Sequence, residues 1–250
     1  MKELISEEQE AQFRALGYFV AEGVFAPSLL QAMGAEMDRV YREHLARAQA
    51  EGEAAAAAVR HQRSFSQFHR LSPVAAQFVR EPIYIEACRR FIGPDADLYY
   101  NQAATKPPER GRVFAWHQDS GYVPTEPLEY ITCWTAITDS NLENGCIWII
   151  PGSPKWGLLE HLPEPETAER YGGKTAQFSD ESGAIPVEMR AGQVAIFSSL
   201  MLHKSGANTS ASSIRRGYVP QYHSPKLIAK HTGQPWGDQV PVLRKGQRVD

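Results

Sequence analysis

Cysteine is scarce in this chain, with Cys88, Cys133 and Cys146 the only three in 250 residues. An odd count without redox or metal-site spacing excludes a disulfide framework, and two of the three stand in stretches that read as buried strand. Reduced core residues are the expectation. No apolar run approaches the roughly 18 residues that a membrane span requires. The stretch from Met1 to Glu10 is acidic and polar, where an export signal would be basic and then apolar. A cytoplasmic location without membrane partners is therefore expected. Nor does any stretch concentrate positive charge. The 26 Lys and Arg against 29 Asp and Glu leave a formal charge of −3, and the basic stripe of a nucleic-acid surface is missing. No internal repeat is visible.

What is present has the make-up of one domain with a full core. Ser6 ahead of Glu7, Glu8 and Glu10 sets a capping hydroxyl and negative charge at the start of a short helix that Gly17 should end. Tyr18-Phe19-Val20 reads as a short strand. Pro27-Ser28 opens a second helix, with Leu29, Leu30, Met33, Met37, Val40 and Tyr41 at helical spacing. It runs into an alanine-rich, charged stretch around Ala54 to Ala58 that reads as exposed helix or loose loop.

From about Leu98 the pattern changes to short apolar or alternating runs separated by Gly, Pro and Asn. These are Leu98 to Thr105, Ile131 to Ile137, Cys146 to Ile150, Val194 to Ser198 and Tyr218 to Tyr222. Many short strands behind a helical start predict a mainly β fold, a double-stranded β-helix or cupin-like jelly roll with the N-terminal helices packed on one face. The expected organisation is a helical part over 1–95, a jelly-roll core over 96–225 and a tail over 226–250. The stretch from Leu158 to Ile185 has no clear period and is too long for a tight turn, as lids and binding loops are.

Trp116-His117-Gln118-Asp119 sets an imidazole and a carboxylate two residues apart, so on an extended segment both point to one face. His203 follows the apolar run Val194 to Phe197, where a jelly roll can bring it beside that pair. Two imidazoles and one carboxylate on one face leave the opposite positions of an octahedral ion open, which oxygen activation requires. By itself His-x-Asp recurs by chance in many proteins. His44, His61, His69, His161 and His231 stand in polar or loop contexts and read as solvated, while His223, just past a strand, is placed to line a pocket.

Arg215-Arg216 opens a strand ending at Tyr222, and alternation sends one arginine inward and the other out. An inward guanidinium needs an anion, since a buried charge without a partner is costly. The distal carboxylate of a dicarboxylate held bidentately would serve. The other reading of these two residues is an exposed strand pair with a surface salt bridge.

Several blocks in order then carry a resemblance. They are Phe13 to Val24, Lys106-Pro107-Pro108 ahead of His117-Gln118-Asp119, Glu143-Asn144-Gly145-Cys146, Ile150-Pro151-Gly152-Ser153, Ala191-Gly192-Gln193-Val194, and His203 to Ser210 with the arginine pair. Over most of its length the chain resembles the phytanoyl-CoA dioxygenase (PhyH) family of Fe(II)/2-oxoglutarate-dependent oxygenases. The resemblance implies that His117, Asp119 and His203 bind iron. It also implies that Arg215, seven residues before Tyr222, binds the 5-carboxylate of 2-oxoglutarate. Gln102, Trp134 and Ser205 match co-substrate-lining positions. Lys204 departs from the glycine usual after the distal histidine, and the loop from His203 to Arg215 is one residue longer than in several relatives.

The implied chemistry uses O2 to convert 2-oxoglutarate to succinate and CO2 while a substrate C–H bond is hydroxylated. Halogenation is disfavoured, because related halogenases leave the carboxylate position vacant and Asp119 fills it here. A small free metabolite is expected as substrate, with Tyr100, Phe114, Tyr122, Trp236 and the loop from His61 to Phe68 as candidate pocket residues. Two other classes stay open: a cupin-type metalloenzyme that does not use 2-oxoglutarate and so has no need of Arg215, and a non-catalytic jelly-roll binding protein. Substrate identity, outcome of oxidation, pathway and oligomeric state are not legible.

Overall fold

The computed structural model describes residues 3–22, 25–60, 64–108, 113–164 and 173–249. Its first helix, α1 (Glu7–Leu16), is closed at both ends by the residues that mark it in the sequence. The Ser6 hydroxyl accepts from the Gln9 N–H while the Gln9 side chain accepts from the Ser6 N–H, and Gly17 takes a left-handed φ of 82°. A Cβ on Gly17 would lie 2.5 Å from Pro154 Cγ, so close packing as well as backbone conformation demands glycine there.

β1 (Tyr18–Ala21) follows, then α2 (Pro27–Glu51), α3 (Glu53–Arg60), β2 (Ser64–Ser66), α4 (Pro73–Phe78) and α5 (Pro82–Phe91). The alanine-rich stretch is thus helix α3 rather than a loop. The remaining strands are β3 (Ala96–Lys106), β4 (Phe114–His117), β5 (Thr125–Glu126), β6 (Ile131–Ala136), β7 (Ile147–Ile149), β8 (His161–Pro163), β9 (Lys174–Ala176), β10 (Ile185–Val187), β11 (Val194–Ser198), β12 (His203–Ser205), β13 (Arg215–His223), β14 (Ile228–Ala229), β15 (Val240–Arg244) and β16 (Gln247–Arg248). Two antiparallel sheets make the jelly roll. The larger runs β1-β11-β6-β13-β3-β15-β16, with β2 also on β3, and the smaller runs β10-β7-β12-β4.

Period-two alternation gives each strand of the larger sheet two different faces. Phe19, Ile131, Cys133, Ile196, Tyr218 and Tyr222 point outward into a core shared with Met33, Met37, Phe78, Ile83 and Tyr84 of the helices. Trp134, Ala136, Ala195, Phe197 and Val219 point the other way and pack against Ile147, Ile149 and Val187 of the smaller sheet. Both outward and inward faces are therefore buried, which is why β6 and β11 read as continuous apolar runs. All three cysteines are free and buried. Among the described residues no helix is long and apolar enough to cross a membrane.

Two stretches differ from expectation. Leu158 to Ile185 contains a hairpin, β8 paired with β9, although residues 165–172 fall outside the described set. The C-terminal tail contributes strands of its own. β15 pairs with the edge of β3, and β14 pairs with β5. Their short lengths gave no pattern long enough to be recognised as strand.

The Phe78 ring anchors helices to sheet, stacking on Phe25 at 4.7 Å and meeting Tyr218 edge-on at 5.6 Å. Phe78→Ala should lower unfolding free energy by about 3–5 kcal/mol. Urea denaturation with an unchanged m-value would establish that; a loss under ~1 kcal/mol would show that the core does not rest on this ring.

Candidate metal centre

β12 lies between β4 and β7, and its register sets His203 directly opposite His117 on one side and Ile149 on the other. Past His117 the chain stays extended at Gln118 (φ −115°, ψ 138°) and then tightens into a turn at Asp119. The carboxylate is thereby delivered to the same side as both imidazoles. The ring centroids of His117 and His203 are 4.0 Å apart. Each Nε2 stands 3.8 Å from Asp119 Oδ1, and the three ligand atoms lie within 4.8 Å of one another.

Neighbouring groups fix which atoms face inward. His117 Nδ1 donates to the Ala115 carbonyl at 2.9 Å and His203 Nδ1 to the Met201 carbonyl at 2.8 Å. Because a carbonyl can only accept, both Nε2 atoms carry lone pairs toward Asp119. The Thr132 hydroxyl donates to Asp119 Oδ2 at 2.6 Å and accepts from Gln221 Nε2 at 3.3 Å, leaving Oδ1 for the centre. Separations of 3.8 Å are too long for hydrogen bonds, so three electron-rich atoms face one another without protons between them. A cation satisfies that arrangement. Two nitrogens and one carboxylate with an open opposite side suit non-haem Fe(II). Burial, then the neighbouring His203, holds His117 well below the ordinary histidine range, which keeps it available as a ligand.

Gln118 was invisible as a contributor in the sequence. It is fully buried, its amide donates to the carbonyls of Gly157 and Leu200 at 2.8 Å each, and its Oε1 accepts from the Leu159 N–H. Its own N–H donates to His161 Nε2 at 2.9 Å. His161 is therefore not solvated as expected. Half-buried, it braces the β4–β12 end of the barrel, and a Cβ on Gly121 would lie 2.4 Å from its ring. His69 also departs from expectation, bonded to Asn101 at 2.7 Å and to Asp238 at 3.2 Å. His44 donates to the Val40 carbonyl, His231 is exposed, and His61 lies outside the described residues. His223 is buried, edge-on to Tyr99.

At the far end of the inner face, alternation resolves the arginine pair. Arg216 points outward and holds Asp38 at 2.8 and 3.1 Å. Arg215 points inward and is 4% exposed, with Nη1 donating to the Gly145 carbonyl at 2.6 Å. Its Nε has no hydrogen-bond partner, and among the described residues no carboxylate pairs with it. Burial pushes its pKa down to about 10. Trp134 lies against the guanidinium with its ring centroid at 5.1 Å. Gly217 makes room for that indole, since a Cβ there would be 2.6 Å from it. Ser205 accepts from Lys106 Nζ at 2.8 Å, and Gln102 sits half-buried on β3 opposite Val219.

The candidate pocket residues divide. Phe114 and Tyr122 meet His117 edge-on at 4.7 and 5.6 Å, and the Tyr122 hydroxyl is buried without a partner. Tyr100 and Trp236 line a cavity of about 450 Å³ together with Gln67 and Tyr99. Phe68 turns instead into the core against Tyr218, because the left-handed backbone at Gln67 reverses the chain there.

Thr132→Val removes the bond that orients Asp119, and should weaken Fe(II) affinity by about 10–100-fold without unfolding the protein. A competition titration with a metal-sensitive dye reads this; unchanged affinity would mean that Thr132 does not tune the carboxylate. A second expectation concerns pH. Burial holds His69, His117, His161 and His223 below the ordinary histidine value. Unfolded, each takes up a proton near about pH 6.5, so unfolding binds protons below that value. Stability of the metal-free protein should therefore be complete above about pH 6.5 and fall progressively below it. Urea midpoints on either side of that value test it, and a midpoint that rises on acidification contradicts it.

Residues 13–217 match the description Phytanoyl-CoA dioxygenase (PhyH). The ectoine dioxygenase of Bordetella parapertussis is 27% identical over 223 residues, covering 82% of this chain and 71% of that one. Among solved structures, EvdO2 of Micromonospora carbonacea var. aurantiaca complexed with 2-oxoglutarate superposes with a TM-score of 0.70 at 17% identity, over 94% of this chain and 97% of that one. EctD from S. alaskensis with bound Fe gives a TM-score of 0.66 at 20% identity, over 97% and 84%. These likenesses carry the jelly-roll fold, and the family match spans most of the chain. The chain belongs to the phytanoyl-CoA dioxygenase family.

Proposed function

We propose that this protein is an Fe(II)- and 2-oxoglutarate-dependent dioxygenase that hydroxylates a small molecule, with His117, Asp119 and His203 as iron ligands and Arg215 as the anchor of the co-substrate. One observation carries the reading. The inner faces of two facing sheets hold both a convergent His-Asp-His triad and a buried arginine that no carboxylate among the described residues balances. A cupin-type enzyme working without 2-oxoglutarate has no use for that arginine, whose burial costs stability unless an anion meets it.

When bound, Fe(II) would supply the site for the 2-oxo-acid end of the co-substrate and the reductive activation of O2 that yields succinate and CO2. The protein's own residues do the rest. The Ala115 and Met201 carbonyls hold both imidazoles with Nε2 inward, and Thr132 holds Asp119. Arg215, braced by the Gly145 carbonyl and walled by Trp134, would fix the distal carboxylate and so orient the 2-oxo acid toward the triad. Gln102 and Ser205 would complete the surroundings of the co-substrate. The carboxylate of Asp119 would serve as the third ligand where a halogenase would need room for halide, which favours hydroxylation over halogenation.

Substrate would enter beside Phe114 and Tyr122, with Tyr100 and Trp236 on the neighbouring cavity. The ectoine dioxygenase relative, named for a small free metabolite, supports a substrate of that size over an acyl-CoA thioester. A cytoplasmic location fits three free, buried thiols.

The test is an anaerobic titration of 2-oxoglutarate into the Fe(II)-loaded protein, following the weak visible metal-to-ligand charge-transfer band. Wild type should develop the band, and Arg215→Ala should weaken co-substrate binding on the order of 30-fold or more, as expected for losing one partner of a buried charge pair. Iron binding without any such band would move the protein to the cupin-type class.

A further inference from the structure

A row of three opposed residues on the larger sheet leads away from the triad. Thr132, which holds Asp119, stands opposite Gln221 of β13, and Gln221 stands opposite Tyr100 of β3. Opposed residues project to one side of a sheet, and neighbouring strands lie about 4.8 Å apart, so Tyr100 rises from the inner face about 10 Å from Thr132. Tyr100 lines the cavity of about 450 Å³ together with Gln67, Tyr99, Trp236 and Asp238. The turn that carries Trp236 and Asp238 is clamped to β3. The Asp238 N–H donates to the Tyr99 carbonyl at 3.0 Å, and a Cβ on Gly237 would lie 2.3 Å from the Tyr99 ring.

The chemistry of that lining has one sign. Three aromatic rings with electron-rich faces and one carboxylate contribute to it, and no lysine or arginine is among its lining residues. The Asp238 side chain is only 7% exposed. Its Oδ1 accepts from Arg70 at 2.5 Å, and its Oδ2 is paired with His69 Nε2 at 3.2 Å, off the line of a hydrogen bond. Arg70 is 64% exposed, so water screens its charge. Burial, above all, holds His69 below the ordinary histidine range, so it faces Asp238 as a neutral ring. The carboxylate thus keeps negative charge and lone-pair capacity for a further partner. An anion would be repelled there, and an uncharged group would forgo the carboxylate. An organic cation gains both the ring faces and the carboxylate.

We propose that this cavity is a subsite for the primary substrate and selects an organic cation, an ammonium carried on a small molecule and held by the Tyr99, Tyr100 and Trp236 rings and the Asp238 carboxylate. Its role as a substrate subsite rests on the oxygenase reading above; the preference for a cation does not. The row from Tyr100 through Gln221 to Thr132 gives the geometry. A molecule held by its charged end in the cavity extends its other end along the inner face toward Asp119.

The experiment titrates two probes of the same shape into the anaerobic protein loaded with Fe(II) and 2-oxoglutarate, and reads binding by calorimetry. One is choline; the other is 3,3-dimethylbutan-1-ol, in which carbon replaces the ammonium nitrogen. Wild type should bind choline about tenfold or more tightly than its uncharged isostere, as a partly desolvated cation against aromatic faces does. Asp238→Asn and Trp236→Leu should each cut that preference to about threefold or less. Should Asp238→Asn, which loosens Arg70 and His69, fail to fold, the more exposed Trp236 still supplies a readable variant. Equal binding of the two probes by wild type, binding of neither, or a preference that survives both substitutions overturns the cation site. The charge-transfer band is read on the same wild-type sample. A band without a choline preference sinks the cation site alone, whereas a choline preference without a band removes the oxygenase reading and leaves the cation site standing.

Discussion

The pairing of β12 with β4, which sets His203 opposite His117, is the constraint on which the centre depends. A slip of one residue would turn His203 away and bring Lys204 inward, because side chains alternate along a strand. Lys204 now projects outward, lying 4.7 Å from the Trp116 ring centroid and paired with Glu181. Several bonds outside the strands hold that register. Gln118 grips the Leu200 carbonyl, the Leu202 N–H donates to Ser153 Oγ at 2.9 Å, and the Ile150 N–H donates to the Leu202 carbonyl at 3.0 Å. The departure at position 204 is thereby absorbed on the outer surface, away from the triad.

The inner face also concentrates electrostatic cost. Electron-rich atoms of His117, Asp119 and His203 converge there, and the Arg215 guanidinium is buried with its Nε unpartnered. Among the described residues no carboxylate pairs with Arg215, and no hydrogen bond joins the three ligand atoms to one another, whereas the neighbouring cluster between the sheets is apolar. Such a site gives up folding stability that a cation and an anion restore by mass action when they bind. One ligand that carries both a chelating end and a distal carboxylate would satisfy both.

Much of this was legible before folding was considered. The opening helix was marked by Ser6 and Gly17, and the main strands by apolar runs between turn residues. Alternation offered one inward and one outward arginine beside the reading of an exposed pair, and only the resemblance singled out Arg215. What escaped had a common physical cause: each depended on partners distant in sequence. Gln118 and His161, 43 residues apart, become one brace through a backbone hydrogen bond. Thr132 acquires meaning through its hydrogen bond to Asp119. Strands β14 to β16 are too short to announce themselves, and each is defined by its pairing, β14 with β5, β15 with β3 and β16 with β15.

The chain's own composition and periodicity determine a helical cap on a two-sheet β fold, buried reduced cysteines, and a set of metal-binding residue types in a fixed order. These are local properties, set by side-chain alternation and by backbone preference at glycine and capping positions. Tertiary structure alone decides which histidines converge, which arginine loses water, and which neutral groups orient them. Those outcomes depend on strand register and on hydrogen bonds that join residues up to about a hundred positions apart, as Lys106 and Ser205 are. No local pattern encodes such distances, because the entropy of closing long loops is overcome only when the whole barrel packs at once.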